Sequence, residues 1–90
     1  MSRTAIVILN YNGEKLLPQF LPSVLQHSTG AEIIVADNAS SDQSIAILQN
    51  NFPQVRLIQL DKNYGFCGGY NRALRQVQAD YFVLLNSDVE

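Results

Sequence analysis

Ile6-Val7-Ile8-Leu9 running into Asn10-Tyr11-Asn12-Gly13 decides the fold. Four consecutive aliphatic residues put apolar side chains on both faces of a strand, which fits a sheet covered on both sides. Two more stretches repeat the pattern. Ile33-Ile34-Val35-Ala36 runs into Asp37-Asn38-Ala39-Ser40-Ser41-Asp42, and Tyr81-Phe82-Val83-Leu84-Leu85 runs into Asn86-Ser87-Asp88-Val89-Glu90. In an open α/β sheet the ligand crevice lies outside the carboxyl ends of the strands, so polar loops gathered there form a site candidate. A chain that stops on its most acidic loop also reads as a piece of a longer one.

Working outward, stretches of helical period separate the strands, the alternation of βαβ units in a parallel sheet. Leu16, Leu17, Phe20, Leu21, Val24 and Leu25 form one helical stripe, interrupted by Pro18 and Pro22. An interior proline costs roughly 3 kcal/mol, so the spacing predicts a first turn over 13–17 and a kink or restart near Pro18. Strand two is expected over 32–36. Ser40 or Ser41 is placed to cap a second helix with stripe Ile45, Leu48 and Phe52, stopped by Pro53. Val55-Arg56-Leu57-Ile58-Gln59-Leu60 alternates as an edge strand does. After a loop over 63–69, Tyr70, Ala73, Leu74 and Val77 mark a third helix, and 81–85 the fourth strand.

The expected fold class is α/β, a Rossmann-like three-layer sandwich. Right-handed crossovers with strand order 3-2-1-4 put the first two helices on one face and the third on the other. The switch point then lies between strands one and four, with Asn10–Asn12 beside Asn86–Asp88 and Asp37 one strand away.

Composition narrows the function classes. The 90 residues are enough for one domain at most, and the 47% hydrophobic fraction is that of a globular chain. A net charge of −2 offers no basic field for nucleic acid or acidic lipid. One cysteine excludes an internal disulfide and suits a reducing compartment. No apolar run approaches the roughly 20 residues that span a bilayer. A cytoplasmic location is expected, peripheral to the inner membrane in a longer parent.

Several residues have the chemistry of a site. Asp88 and Glu90 follow a buried strand, where a divalent cation could share one carboxylate and a substrate's phosphates; the plainer reading is a strand exit with Asp88 capping a turn. Asp37 could accept hydrogen bonds from a nucleobase while Ser40, Ser41 and Asp42 cap the next helix. The loop Asn63-Tyr64-Gly65-Phe66-Cys67-Gly68-Gly69 could bring backbone N–H groups to an anion, or could simply let the helix pack closely. It lacks the Gly-Lys-Ser/Thr ending of a P-loop, and no Gly-x-Gly-x-x-Gly follows strand one. Tyr11 could stack on a base. Cys67 reads as a small buried filler, and His27 as a partner of a helix carboxyl end.

In order and spacing, these four segments (6–13, 34–42, 63–71 and 79–88) resemble the amino-terminal half of a family 2 glycosyltransferase of the GT-A fold. The resemblance implies that residues 1–90 hold a nucleotide-sugar donor (UDP-, dTDP- or GDP-linked) and that the acceptor-binding part is absent. It implies Asp37 on the base, Tyr11 in its pocket, and Asn12, Asn63, Gly65, Gly69 and Asn71 shaping the donor site. Asp88, as the last acid of an Asp-x-Asp motif, would bind Mg²⁺ or Mn²⁺ on the diphosphate. Asn86 replaces the first acid and leaves its usual contact open. The parent would transfer the sugar with inversion to a hydroxyl of a saccharide or lipid-linked acceptor, using a general base beyond Glu90, so the 90-residue chain is expected to be inactive and to self-associate. Two rival readings fit the residues less well. A nucleotidyltransferase would need a basic glycine-rich loop after strand one. A non-catalytic α/β nucleotide-binding or interaction domain would use Asp37 and Asp88 as an acid pocket, but lacks a late lysine.

Overall fold

The computed structural model describes residues 3–27 and 30–86. It has four strands, β1 (Thr4–Asn10), β2 (Glu32–Asp37), β3 (Arg56–Gln59) and β4 (Tyr81–Asn86), and three helices, α1 (Leu17–His27), α2 (Ser44–Asn51) and α3 (Gly65–Leu74). All strand pairs are parallel, in the order β3-β2-β1-β4. This is the expected sheet, with its switch point between β1 and β4.

The aliphatic run of β1 splits between two cores, as its period of two requires. Ala5, Val7 and Leu9 join Ile34, Ala36, Ile58, Tyr70, Ala73 and Val77 on the α3 face. Ile6 and Ile8 join Ile33, Val35, Leu17, Leu21, Leu48 and Phe52 on the face of α1 and α2. β3 buries only Ile58 fully and exposes Arg56 and Gln59, as an edge strand does.

Local chemistry explains where the helices differ from expectation. The Gly13 carbonyl accepts from the N–H groups of Leu16 (3.1 Å) and Leu17 (2.9 Å), which is the turn expected over 13–17. α1 then starts at Leu17 and runs past Pro22 without a break. Pro18 lies in its first turn, where a missing N–H costs nothing because no intrahelical acceptor faces it. Neither Ser40 nor Ser41 caps α2; Asp42 Oδ1 instead accepts the Ser44 N–H at 2.9 Å. α3 begins at Gly65, so most of the expected 63–69 loop is helix. Asn63 Oδ1 accepts the Gly65 N–H at 2.8 Å and starts it. This early start turns Cys67 outward, and the cysteine is exposed rather than a buried filler.

Gly69 sets the depth at which α3 rests on the sheet. A Cβ there would stand 2.7 Å from Leu9 Cδ1 and 3.0 Å from Asn38 Nδ2. Among the described residues, no helix is long and apolar enough to cross a membrane.

Candidate functional site at the carboxyl edge of the sheet

The ends of β1 and β2 are adjacent, with Asn10 paired to Asp37 and Leu9 to Asn86 of β4. The polar loops that follow are bound to each other. Asp37 Oδ1 accepts from Asn10 Nδ2 (2.9 Å) and from the Ser40 hydroxyl (2.7 Å), and Oδ2 accepts the Ser40 N–H (2.8 Å). Ser40 Oγ in turn accepts the Asn12 N–H at 2.8 Å and contacts Asn10 Nδ2 at 3.3 Å. Asn12 Oδ1 closes the loop by accepting the Ser41 N–H at 2.8 Å.

Two residues of these loops have left-handed backbones, Asn12 at φ 52° and Ala39 at φ 62°. Asparagine tolerates that region, but alanine does not without strain. The reciprocal hydrogen bonds on both sides hold Ala39 there, a combination that is common where a loop is shaped for binding.

Asn38 joins this network to α3. Its Nδ2 donates to the Gly65 carbonyl (3.0 Å), its Oδ1 accepts the Tyr64 N–H (2.9 Å), and its own N–H donates to the Asn10 carbonyl (2.8 Å). One buried side chain thus fixes the start of α3 against the tips of β1 and β2. Gly65 has φ 74°, a conformation open to glycine at little cost.

The expected site residues fall into four groups. Asn12 and Asp37 lie inside the network. Asp37 is only 2% exposed and sits at the centre of the loop structure. Tyr11 is exposed at the tip of β1, and Asn63 and Gly65 stand exposed at the start of α3. Gly69 is buried as a packing position, and Asn71 is exposed on α3 apart from the network. Asn86 ends β4 beside Leu9, and Asp88 lies outside the described residues.

Charge near the site is held by hydrogen bonds. Burial pushes the Asp42 carboxyl upward, but hydrogen bonds from Ser44 and from the Glu14 N–H outweigh it and hold the group below its usual range. At the side of α3, the Tyr64 hydroxyl donates to Asp61, lowering the acid and raising the phenol. The Arg72 guanidinium stacks over the Tyr64 ring at 3.7 Å. Among the described residues, no three His, Cys, Asp or Glu gather to hold a metal ion. Concavities bordered by Arg3, Ala79 and Gln78 open at the other end of the sheet. Ligand crevices of parallel α/β sheets do not form at that end.

Ser40, Asn10 and Asn38 were not assigned these roles from sequence. Ser40 has the signature of a helix cap, and an asparagine after a strand is ordinary turn chemistry. The only signal is the pairing of a β1-end amide with a β2-end carboxylate, which the strand order makes neighbours.

Known proteins resemble this chain in sequence and fold. The chain is 30% identical to the teichoic acid poly(glycerol phosphate) polymerase of Staphylococcus epidermidis over 95 residues, covering 100% of this chain and 13% of that protein. It superposes with a TM-score of 0.81 and 27% identity on residues 1–349 of S. aureus TarS, a poly(ribitol-phosphate) beta-N-acetylglucosaminyltransferase, in complex with UDP-GlcNAc. That match covers 96% of this chain and 26% of that one. A mannosyltransferase from Pyrobaculum calidifontis, in complex with GDP-Man and Mn²⁺, shares the fold at a TM-score of 0.81 and 21% identity, over 97% of this chain and 28% of that one. The 90 residues therefore span under a third of each of these proteins. The family model for glycosyl transferase family 2 matches residues 5–90, and the chain belongs to that family.

Proposed function

We propose that this chain is the nucleotide-sugar-binding part of a glycosyltransferase domain whose acceptor-binding part lies elsewhere in a longer parent. The observation that carries this reading is the gathering of three loop systems at the carboxyl edge of the sheet: the β1 loop with Tyr11 and Asn12, the β2 loop with Asp37, and the start of α3. Asp37 meets the base and Tyr11 lines its pocket. Asn63, Gly65 and Asn71 border the donor from α3, while Gly69 sets the helix in place. The complexes of TarS with UDP-GlcNAc and of the mannosyltransferase with GDP-Man support a sugar nucleotide as the ligand class.

A Mg²⁺ or Mn²⁺ ion fits as a shared ligand, because such ions need only one or two carboxylates when a diphosphate supplies the remaining oxygens. Asp88 is the carboxylate we assign, two residues beyond the strand end where Asn86 pairs with Leu9. When bound, the ion neutralises charge on the departing diphosphate. The chain's own residues bind and orient the donor; the hydroxyl acceptor and the base that would deprotonate it, for transfer with inversion, are assigned to the parent.

Calorimetric titration with UDP, dTDP and GDP, with and without Mn²⁺, tests this. Asp88→Ala should remove the metal dependence of binding, while Asp37→Ala should weaken binding about tenfold under both conditions. Equal affinities for the wild type and both variants would overturn the assignment.

A further inference from the structure

β4 is supported on one side only. It pairs with β1 alone, while α3 rests mainly on β1 and β2. Tyr81, Phe82, Val83 and Leu84 are exposed, yet the next residue, Leu85, is half-buried. Its side chain packs on the core of α1 and α2, which also holds Ile8, its partner in the register. Its carbonyl accepts a hydrogen bond from the Tyr70 hydroxyl, which comes from the opposite core. Leu85 is thus fixed from both faces of the sheet.

Tyr70 is 4% exposed and packs in the same core as Ala73 and Val77. A buried phenol hydroxyl needs a partner, and this one has a partner on β4. The start of α3 is fixed as well, where Asn38 holds Tyr64 and Gly65. Tyr70 follows Gly65 by about 7–8 Å along the helix axis. One rigid element therefore joins the β2 loop to the end of β4.

We propose that Tyr70 is a positioning residue for donor binding, whose hydroxyl sets the carboxyl end of β4 relative to the loops of β1 and β2. The inference rests on the donor-binding reading above, in which Asp88, beyond Leu85 and outside the described residues, supplies the metal carboxylate. A carboxylate shared between an ion and a diphosphate works only when held to within about 0.5 Å. An edge strand with a single neighbour opens locally with ease, so the bond to Leu85 supplies the missing hold. Loss of the hydroxyl should weaken metal-assisted binding and leave the nucleotide contacts of β1 and β2 as they were.

The test is calorimetry on the 90-residue chain, at a concentration where light scattering shows monomer. The ligand is whichever of UDP, dTDP and GDP binds most tightly, with and without Mn²⁺. Mn²⁺ should tighten wild-type binding about tenfold or more, and in Tyr70→Phe, which keeps the ring, that factor should fall to about twofold. Affinity without metal should stay within about twofold of wild type. Val77→Ala thins the same core but keeps the Tyr70 hydroxyl, and its Mn²⁺ factor should match wild type. Thermal melts report folding. Hydrogen exchange on the wild-type chain decides the matter if Tyr70→Phe does not fold: β4 near Leu85 should exchange more slowly than β3, the other edge strand.

A Tyr70→Phe chain with the wild-type Mn²⁺ factor overturns the inference, and so does one weakened equally with and without metal. Loss of the factor in Val77→Ala, or faster exchange in β4 than in β3, does the same. Wild-type nucleotide binding that ignores Mn²⁺ overturns the inference and the metal assignment while leaving donor binding intact. Failure of all three nucleoside diphosphates to bind overturns the donor-binding reading as well.

Discussion

Gly69 shows how much one missing methyl group decides. An added Cβ would press on Leu9 Cδ1 at 2.7 Å and on Asn38 Nδ2 at 3.0 Å. The first contact forces the buried Leu9 side chain to shift within its core, and the second disturbs the amide that holds Tyr64 and Gly65. Overpacking of this kind costs about 1–3 kcal/mol. Gly69→Ala should therefore lower the unfolding free energy by that order, measured by urea titration. Gly68→Ala meets only Tyr64 Cβ, at 3.0 Å, and should cost less. Similar losses at the two positions would count against this account of Gly69. The same residue marks the limit of sequence reading. A glycine-rich stretch signals close approach without saying of what, and here Gly69 is approached by the protein's own leucine and asparagine. Asp37 was legible as a site candidate because it ends an aliphatic strand at the sheet edge. Its partner Ser40 was not, because the cap pattern of a serine before a helix also fits a serine bonded backward to a strand end.

At the scale of elements, Asp42 ties the approach to α1 to the start of α2. It accepts the Glu14 N–H at 3.0 Å and the Ser44 N–H at 2.9 Å. Its folded pKa lies below the ordinary value of 3.8, since these bonds outweigh the burial that would raise it. The sign follows: a depressed carboxyl stabilises the fold fully above 3.8 and loses that contribution as pH falls through the folded value. Asp42→Asn should be less stable than wild type at about pH 7, with the gap closing below about pH 4. A gap that stays constant in denaturation midpoints down to about pH 3 would contradict this role. Asp61, also lowered, is exposed beside Tyr64 and should matter little to stability. Among the elements themselves, strand order and the side of each helix were readable because aliphatic runs and stripes of period 3.6 have few arrangements in a right-handed parallel sheet. Helix starts were not. Pro18 signalled a break but lies where a first turn tolerates proline. The glycines at 65, 68 and 69 signalled a loop, but Asn63 and Asn38 bind the backbone and start the helix earlier.

For the whole molecule, the two sheet edges are unlike. β3 ends the sheet with Arg56 and Gln59 exposed on a four-residue strand, and a short, charged edge discourages pairing. β4 ends it with Tyr81, Phe82, Val83 and Leu84 in succession, 38 to 62% exposed, and no charge among them. It pairs only with β1, so its outer backbone groups have no strand partner among the described residues. α3 rests mainly on β1 and β2 rather than on β4. An uncharged apolar strand with a free edge is a template for a second strand, and in solutions of the 90-residue chain the available one is β4 of another copy. Covering even about 400 Å² of apolar surface contributes on the order of 10 kcal/mol before the cost of association. We therefore expect the chain to self-associate through β4 at high micromolar concentration. Val83→Lys places a charge in the middle of the strand and should return the chain to monomer without unfolding it, because Val83 is already exposed. Light scattering should show mass rising with concentration for wild type and a constant monomer mass for the variant. A wild-type chain that stays monomeric, or a Val83→Lys chain that associates as strongly, would show that β4 is not the surface through which copies meet.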